Sequence, residues 1–335
     1  MKSTQCLFFS AAAFLASALA FNTIVGLPPP AAPIGVRIVE AATALVASLD
    51  PAQQKLALFA GDSEERFNWH FIPRDRKGVP VKELKDDQRA KVTGLLRATL
   101  SEPGAHKSEE IMALESVLAE IEGPDRKFPR DPLLYYVSIF GKPGLEGRWG
   151  WRLEGHHLSV NCTLDGAKVL SLTPFFQGAN PALVKSGPKK GLRLLASQED
   201  LARSLATSLS EEQLRAARSA GEPEEVPGAE KKSYDGPFPA GIAAAQLSAG
   251  QKDQLRSLVK AYTDNLASET VAPVLKCIDG GLDDVHFVWR GGLKSGEGHS
   301  YMVHGPGFMV NYINAQNDAM HVHACLRMLR GEFGQ

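Results

Sequence analysis

His321 and His323 are separated by one residue, and His156 and His157 by none. Two positions apart on a strand, side chains leave the same face, so the imidazoles of His321 and His323 stand side by side. Neutral imidazole nitrogens suit zinc, copper, nickel or iron. A third ligand from another strand, His156 or His157, would complete a three-histidine site with an open position. The plainer account of a His-x-His pair on a strand is a hydrogen-bonded polar pair, and spacing alone does not separate the two. Acid–base work is the other use, with a histidine tuned by Glu154 or Glu332. His70, His286, His299 and His304 are further candidates, whereas His106, after Pro103-Gly104, reads as a loop residue.

Alternation along the strands sorts what surrounds these histidines. In His157–Leu164, the residues His157, Ser159, Asn161 and Thr163 share a polar face, and Leu158, Val160, Cys162 and Leu164 share an apolar one. Asn161, Asn311 and Gln316 are candidates to orient a substrate or a water. Arg152 either clamps an anion or pairs internally with Glu154. Trp149 and Trp151 lie on the face opposite Arg152 and Glu154. They read as core beneath a helix, the alternative being an exposed platform for a sugar. Arg74 and Arg76, after His70, form a second possible anion contact.

These residues need strands to present them, and the strands come twice. Gly155-His-His-Leu-Ser-Val-Asn161 returns as Gly305-Pro-Gly-Phe-Met-Val-Asn311, and Gly141 and Trp151 correspond to Gly291 and Tyr301. In the first set, 133–141, 148–154, 157–164 and 168–174 read as strands. In the second, 284–291, 299–304, 308–313 and 320–326 follow the same order. Helix starts are punctuated by Leu49-Asp-Pro-Ala-Gln53, Leu84-Lys-Asp-Asp-Gln88, Leu209-Ser-Glu-Glu-Gln213 and Leu247-Ser-Ala-Gly-Gln251. In each, a cap residue is followed three positions on by a glutamine that reaches back, with Lys85 the weak case. Further helices are expected to begin at Ser108 and Ser197. The fold class is therefore α+β: two antiparallel β meanders, an internal duplication, packed with helices. The halves run over 36–221 and 242–335, separated by an exposed, Pro-rich and charged linker over 222–241.

The bulk numbers narrow the function classes. The chain has 335 residues, 44% hydrophobic and 22% charged, with a net charge of −1. Nothing forms a basic stripe, so nucleic-acid binding has no electrostatic footprint. Lys2, the apolar Cys6–Leu19 and Ala18-Leu19-Ala20 read as a signal peptide over 1–20, followed by a Pro-rich spacer over 21–35. About 14 apolar residues are too few to span a bilayer. The expectation is an exported protein, periplasmic or extracellular, with no stable membrane anchor after cleavage. Cys162, Cys277 and Cys325 then remain, which allows one bridge at most, and buried reduced thiols are favoured. No nucleophile elbow, zincin helix or phosphate-binding glycine loop is present.

The string Trp149-Gly-Trp-Arg-Leu-Glu-Gly-His-His-Leu-Ser-Val-Asn161 resembles a bacterial family of exported proteins called domain of unknown function 3500. So do Trp69-His-Phe-Ile-Pro73, Thr173-Pro-Phe-Phe-Gln-Gly-Ala-Asn-Pro181, His304-Gly-Pro-Gly-Phe308 and Gln316-Asn-Asp-Ala-Met-His-Val-His323. The resemblance runs nearly full length after the signal, and it implies a fold neighbourhood but no activity. This chain departs from the family pattern at Asn311, Ile313, Met320, Leu326 and Met328, where acidic, Asp, Asn, Trp and Asp residues are usual. If those groups orient the histidines, part of that support is missing here. Two readings follow. One is a His-ligated metal-binding protein or metal-dependent enzyme, with zinc or copper on His156, His157, His321 and His323 and a small molecule as substrate. The other is a non-catalytic envelope module that binds a glycan or a peptide.

Overall fold

The four Leu-x-x-x-Gln punctuations set the helical frame. A computed structural model describes residues 32–335, so the expected signal peptide and most of the spacer lie outside the described residues. Residues 33–335 form one compact unit. Helix α1 (Ile34–Ser48) already starts after Pro33, and α2 (Pro51–Ala57) follows the Asp50 cap. Then come α3 (Asp86–Thr99), α4 (Glu102–Glu122), α5 (Ala196–Ser208), α6 (Glu211–Ala217), α7 (Ala249–Thr263) and α8 (Ser268–Gly281). Asp50, Ser210 and Ser248 each accept from the backbone of the glutamine three residues on, and that glutamine accepts from the cap backbone in return. Lys85 has no side-chain oxygen, so only the Gln88 arm of its box forms. The start expected at Ser108 is corrected. Ser101 caps α4 a full two turns earlier, and the Ser108 hydroxyl bonds back to the Gly104 carbonyl inside the helix.

The same glutamines then tie the helices together. Gln53 and Gln88 exchange two side-chain hydrogen bonds, at 3.1 and 2.8 Å. Gln213 and Gln251 do the same, both at 3.0 Å. This repeated detail extends to the strands. β2 (Val79–Pro80) joins β3 (Tyr135–Phe140) through Val79 and Val137, and β8 (Ile242–Ala243) joins β9 (His286–Gly291) through Ile242 and Phe287. The two halves are built on one plan.

The two expected meanders are present, but they are parts of one sheet. The first contains β3, β4 (Arg148–Gly155), β5 (Leu158–Asp165), β6 (Lys168–Ser171) and β7 (Phe175–Ala179). The second contains β9, β10 (His299–His304), β11 (Phe308–Gln316) and β12 (His321–Met328). With β1 (Leu58–Phe59) running parallel to β3 at one side, the main order is β1-β3-β4-β5-β7-β12-β11-β10-β9-β8. The strand expected over 168–174 ends at Ser171, and a further strand, β7, not among those expected, starts only after Pro174, which has no N–H to donate to a ladder. The halves meet where β7 pairs antiparallel with β12, through Phe175↔Leu326 and Phe176↔Cys325. The repeat offset carries Phe175 to Cys325 and Phe176 to Leu326, so the pairing is its own image when the halves are exchanged. An approximate two-fold axis therefore crosses the sheet at this ladder.

One face of the sheet carries Trp149, Trp151, Val160, Cys162, Trp289, Tyr301, Val310 and Leu326 into the core beneath the helices. Burial of these large apolar surfaces is the main stabilising term. The opposite face holds the polar residues, and it is roofed rather than wet. Trp69, Phe71 and Val226 close over Phe176, Cys325 and Phe333, leaving Ser159, Asn161 and Thr163 buried. The linker expected as an exposed excursion is part of this roof. Its carbonyls at Gly228 and Lys231 accept from Arg327, and Glu230 N–H donates to the Trp69 carbonyl. No helix among the described residues is long and apolar enough to cross a membrane. Among the described residues, Cys162, Cys277 and Cys325 are free thiols, Cys162 and Cys325 being buried.

Candidate metal centre

The turn between β4 and β5 is Gly155-His156-His157-Leu158. His157 takes a positive φ of 63°, a conformation that non-glycine residues adopt only where surroundings hold them. Here its N–H donates to the Phe71 carbonyl at 2.9 Å, and its carbonyl accepts from Gly178 N–H at 2.8 Å. Gly178 makes room for the ring, since a Cβ there would stand 3.0 Å from it. The result aims His157 across β7 at β12.

His321 and His323 meet it there. Nε2 of His321 lies 2.7 Å from Nε2 of His157 and 3.1 Å from Nε2 of His323. Facing nitrogens hold at most one proton between them, so lone pairs point into the gap. Metal–nitrogen bonds of about 2.0–2.1 Å place two ligands about 2.9 Å apart at right angles and about 3.3 Å apart at the tetrahedral angle. The observed spacings need only a small spread to match either. His156 completes the group. Its ring lies over that of His157, with centroids 3.6 Å apart, and one ligating atom each of His156, His157 and His321 fall within 4.8 Å of one another.

Two carboxylates orient the outer rings. Glu225 accepts from Nδ1 of His323, both oxygens at 2.9 Å, which leaves Nε2 of His323 as the lone-pair atom facing His321. Glu115 on α4 sits 2.6 Å from Nδ1 of His156, and Arg130 approaches the same nitrogen at 3.1 Å. Nδ1 has a single site. We assign its proton to the shorter contact, so that Nδ1–H donates to Glu115. A carboxylate behind a ligating histidine is the usual means of fixing its tautomer and raising its basicity.

The electrostatics favour neutral imidazoles. Burial, reinforced by Arg130 and the neighbouring histidines, lowers His156 to about 2. Burial and the His323 charge lower His321 to about 3, and burial with His156 and His323 holds His157 well below the usual range. Burial pushes Glu115 up to about 7 against the pull of Arg130. Burial acts against the charge on Glu225 too, but the hydrogen bond and charge of His323 outweigh it and lower that carboxyl. Neutral, lone-pair-bearing imidazole is the ligand form.

The structure brings His156, His157, His321 and His323 together, sets Gln316 opposite His321 in the β11–β12 ladder, and places the other candidates elsewhere. Arg152 pairs with Glu65 and Glu154, Nη2 lying 2.8 Å from Oε1 of Glu65. Glu154 accepts from the His70 N–H and faces Arg76. Asn161 donates to Ser159 and to the Pro174 carbonyl. Asn311 is buried in the second half beside Cys325, and Gln316 is exposed at the end of β11. Glu332 pairs with Arg327. Trp149 and Trp151 are in the core, so they offer no stacking platform. His286 and His304 stack on each other, and His299 stacks on Trp289, all in the second meander. Of the positions where this chain departs from the family pattern, Ile313 stands opposite His323 and Asn311 opposite Cys325, on the histidine side of the sheet. Leu326 packs into the helix-side core.

Glu115 and Glu225 were not singled out from the sequence. Glu115 had a signal, since it falls within the apolar stripe Ile111, Leu114, Leu118 of α4, where an acid is out of place unless it is partnered. Glu225 had none, lying in a charged, Pro-rich stretch.

With this geometry in hand, the comparisons can be read. The chain matches over residues 33–335 the family described as "Protein of unknown function (DUF3500)", and it belongs to that family. No curated protein and no solved structure matches it.

Proposed function

We propose that this chain is an exported protein that binds one transition-metal ion, zinc or copper by ligand chemistry. Nε2 of His157, His321 and His323 are the ligands, and His156 stands beside them. One observation carries the reading: two rings have a carboxylate at Nδ1, and histidines from two separate segments, the β4–β5 turn and β12, bring ring nitrogens within 2.7 and 3.1 Å of one another. Glu225, whose side chain is 42% exposed, marks the solvent side, from which a water or substrate can reach an open position on the ion. Export rests on Lys2, the apolar Cys6–Leu19 and the small residues of Ala18-Leu19-Ala20.

Elemental analysis of the mature protein, residues 21–335, tests it. One equivalent of metal is expected, lost in the His321→Ala/His323→Ala double variant. Metal-free protein whose melting temperature is unchanged by added zinc or copper would sink the proposal.

A further inference from the structure

Buried arginines on the roofed face of the sheet have acidic partners, with one exception. Arg152 has Glu65 and Glu154, Arg76 has Glu154, and Arg327 has Glu332. Arg66 is 6% exposed, and among the described residues no carboxylate lies within ion-pair distance of it. Its guanidinium passes over Gly150, where a Cβ would come within 2.7 Å of Nη2, and donates to the Thr163 hydroxyl. Among the described residues, no other hydrogen bond is made by its side chain. Burying a charge without a partner costs several kcal/mol, so an uncompensated guanidinium needs a reason.

Arg66 lines a cleft of about 390 Å³ that it shares with Arg148, Lys232, Phe67 and Phe333. Among the described residues, the Arg148 side chain donates only to the Gly334 carbonyl. Lys232 lies over the Phe67 ring at 4.4 Å and reaches Glu64 at 3.1 Å. Phe67 and Phe333 meet edge to face, with centroids 5.2 Å apart. The acids at the cleft are Asp62 and Glu64, both at the exposed rim. We propose that this cleft is a binding site for a phosphate-type oxyanion, with Arg66 and Arg148 as its direct partners and Lys232 closing over it. Guanidinium groups match such oxygens with paired, charge-assisted hydrogen bonds. Burial and the Arg148 charge bring Arg66 down to about 10, which is the strain an anion would relieve. The site is separate from the histidines. Arg148 begins β4 and Gly155 ends it, about 23 Å away at roughly 3.3 Å per residue.

Calorimetric titration of the mature protein with inorganic phosphate, against sodium chloride at matched ionic strength, is the test. Saturable binding is expected, at least ten-fold weaker in Arg148→Ser and absent in Arg66→Gln. Without phosphate, Arg66→Gln should melt no lower than the parent, because the substitution removes an uncompensated charge. If Arg66→Gln does not fold, Arg148→Ser carries the test alone. Binding should persist in the His321→Ala/His323→Ala variant, which excludes phosphate held at the metal centre. A response no larger than chloride gives, equal binding by the parent and Arg148→Ser, or tighter binding of acetate than of phosphate would overturn the proposal.

Discussion

The turns Gly155–Leu158 and Gly305–Phe308 occupy equivalent places in the two halves of the sheet. Each hands its carbonyl to a strand further along: His157 accepts from Gly178 N–H, and Gly307 accepts from Leu329 N–H. The side chains differ completely. Where the first has His156-His157, the second has Pro306-Gly307, and a Cβ on Gly307 would stand 3.0 Å from the Cys277 sulfur. Where β12 presents His321 and His323, the first half has Ser171 and Thr173, which hydrogen-bond each other at 3.2 Å. The position related by the two-fold, built from Pro306-Gly307 of the second half and Ser171 and Thr173 of the first, thus closes the same backbone arrangement without histidines. The fold does not require four histidines at this point.

The comparison breaks first if the histidines of the two halves prove interchangeable. His157→Ala should weaken zinc or copper binding at least 100-fold, about 2.7 kcal/mol. His304→Ala, in the second meander, should leave it unchanged in the same titration. At 100-fold excess over the dissociation constant, metal should add about 2.7 kcal/mol of stability. That is a rise on the order of 5 °C in melting temperature for a chain of this size, and it should vanish only in the first variant. The next effect sharpens which three rings bind. Loss of a carboxylate behind a ligand typically costs about 10–100-fold in affinity. Glu225→Gln should fall in that range and Glu115→Gln should cost less. The reverse order would make His156, rather than His323, the third ligand.

Much of this frame was legible. The Leu-x-x-x-Gln strings gave helix starts because a capping box is local, closed within four residues. The period-2 alternation separated Val160 and Cys162 from Ser159 and Asn161 for the same reason. What escaped is non-local. Nothing in the string 49–53 says that Gln53 will pair with Gln88, and nothing in 222–241 says that its carbonyls will be held by Arg327. The roof over the polar face depends on Trp69, Phe71 and Val226 meeting Phe176 and Phe333, segments far apart in the sequence, Phe71 and Phe176 being 105 residues apart. Arg152 and Asn311 are candidates by type and strand face, yet face membership does not fix position along the sheet, whereas Gln316 does stand opposite His321. Asn311 shares the histidine side but lies opposite Cys325, beyond His323.

The two halves also predict equal mechanical behaviour where they repeat. Gln88 and Gln251 are the more buried members of matching amide pairs, and removing either takes a hydrogen-bond partner from the other amide. Gln88→Ala and Gln251→Ala should each cost about 1–3 kcal/mol in denaturant unfolding. A large cost in one and none in the other would mean that the duplication is only of shape.

The smallest effect concerns a histidine with no part in the metal centre. His299 is fully buried between Trp289 and Tyr312, and its Nδ1 donates to the Glu297 carbonyl. Burial and the nearby Arg203 lower its pKa, against the Glu297 carbonyl and the Glu199 carboxylate, which raise it. The folded state therefore keeps His299 neutral while the unfolded chain takes up a proton near pH 6.5. Where the unfolded state binds more protons, stability falls as pH falls. The loss begins as pH drops through about 6.5 and continues until the folded group itself titrates. His299→Phe preserves the stack and removes the proton. Its unfolding free energy should decline less steeply than the parent's between pH 6.5 and 5, by up to about 1.4 kcal/mol per pH unit. Parallel slopes for the two proteins, in denaturant melts of metal-free samples, would mean that Glu199 and the carbonyl offset burial at this site.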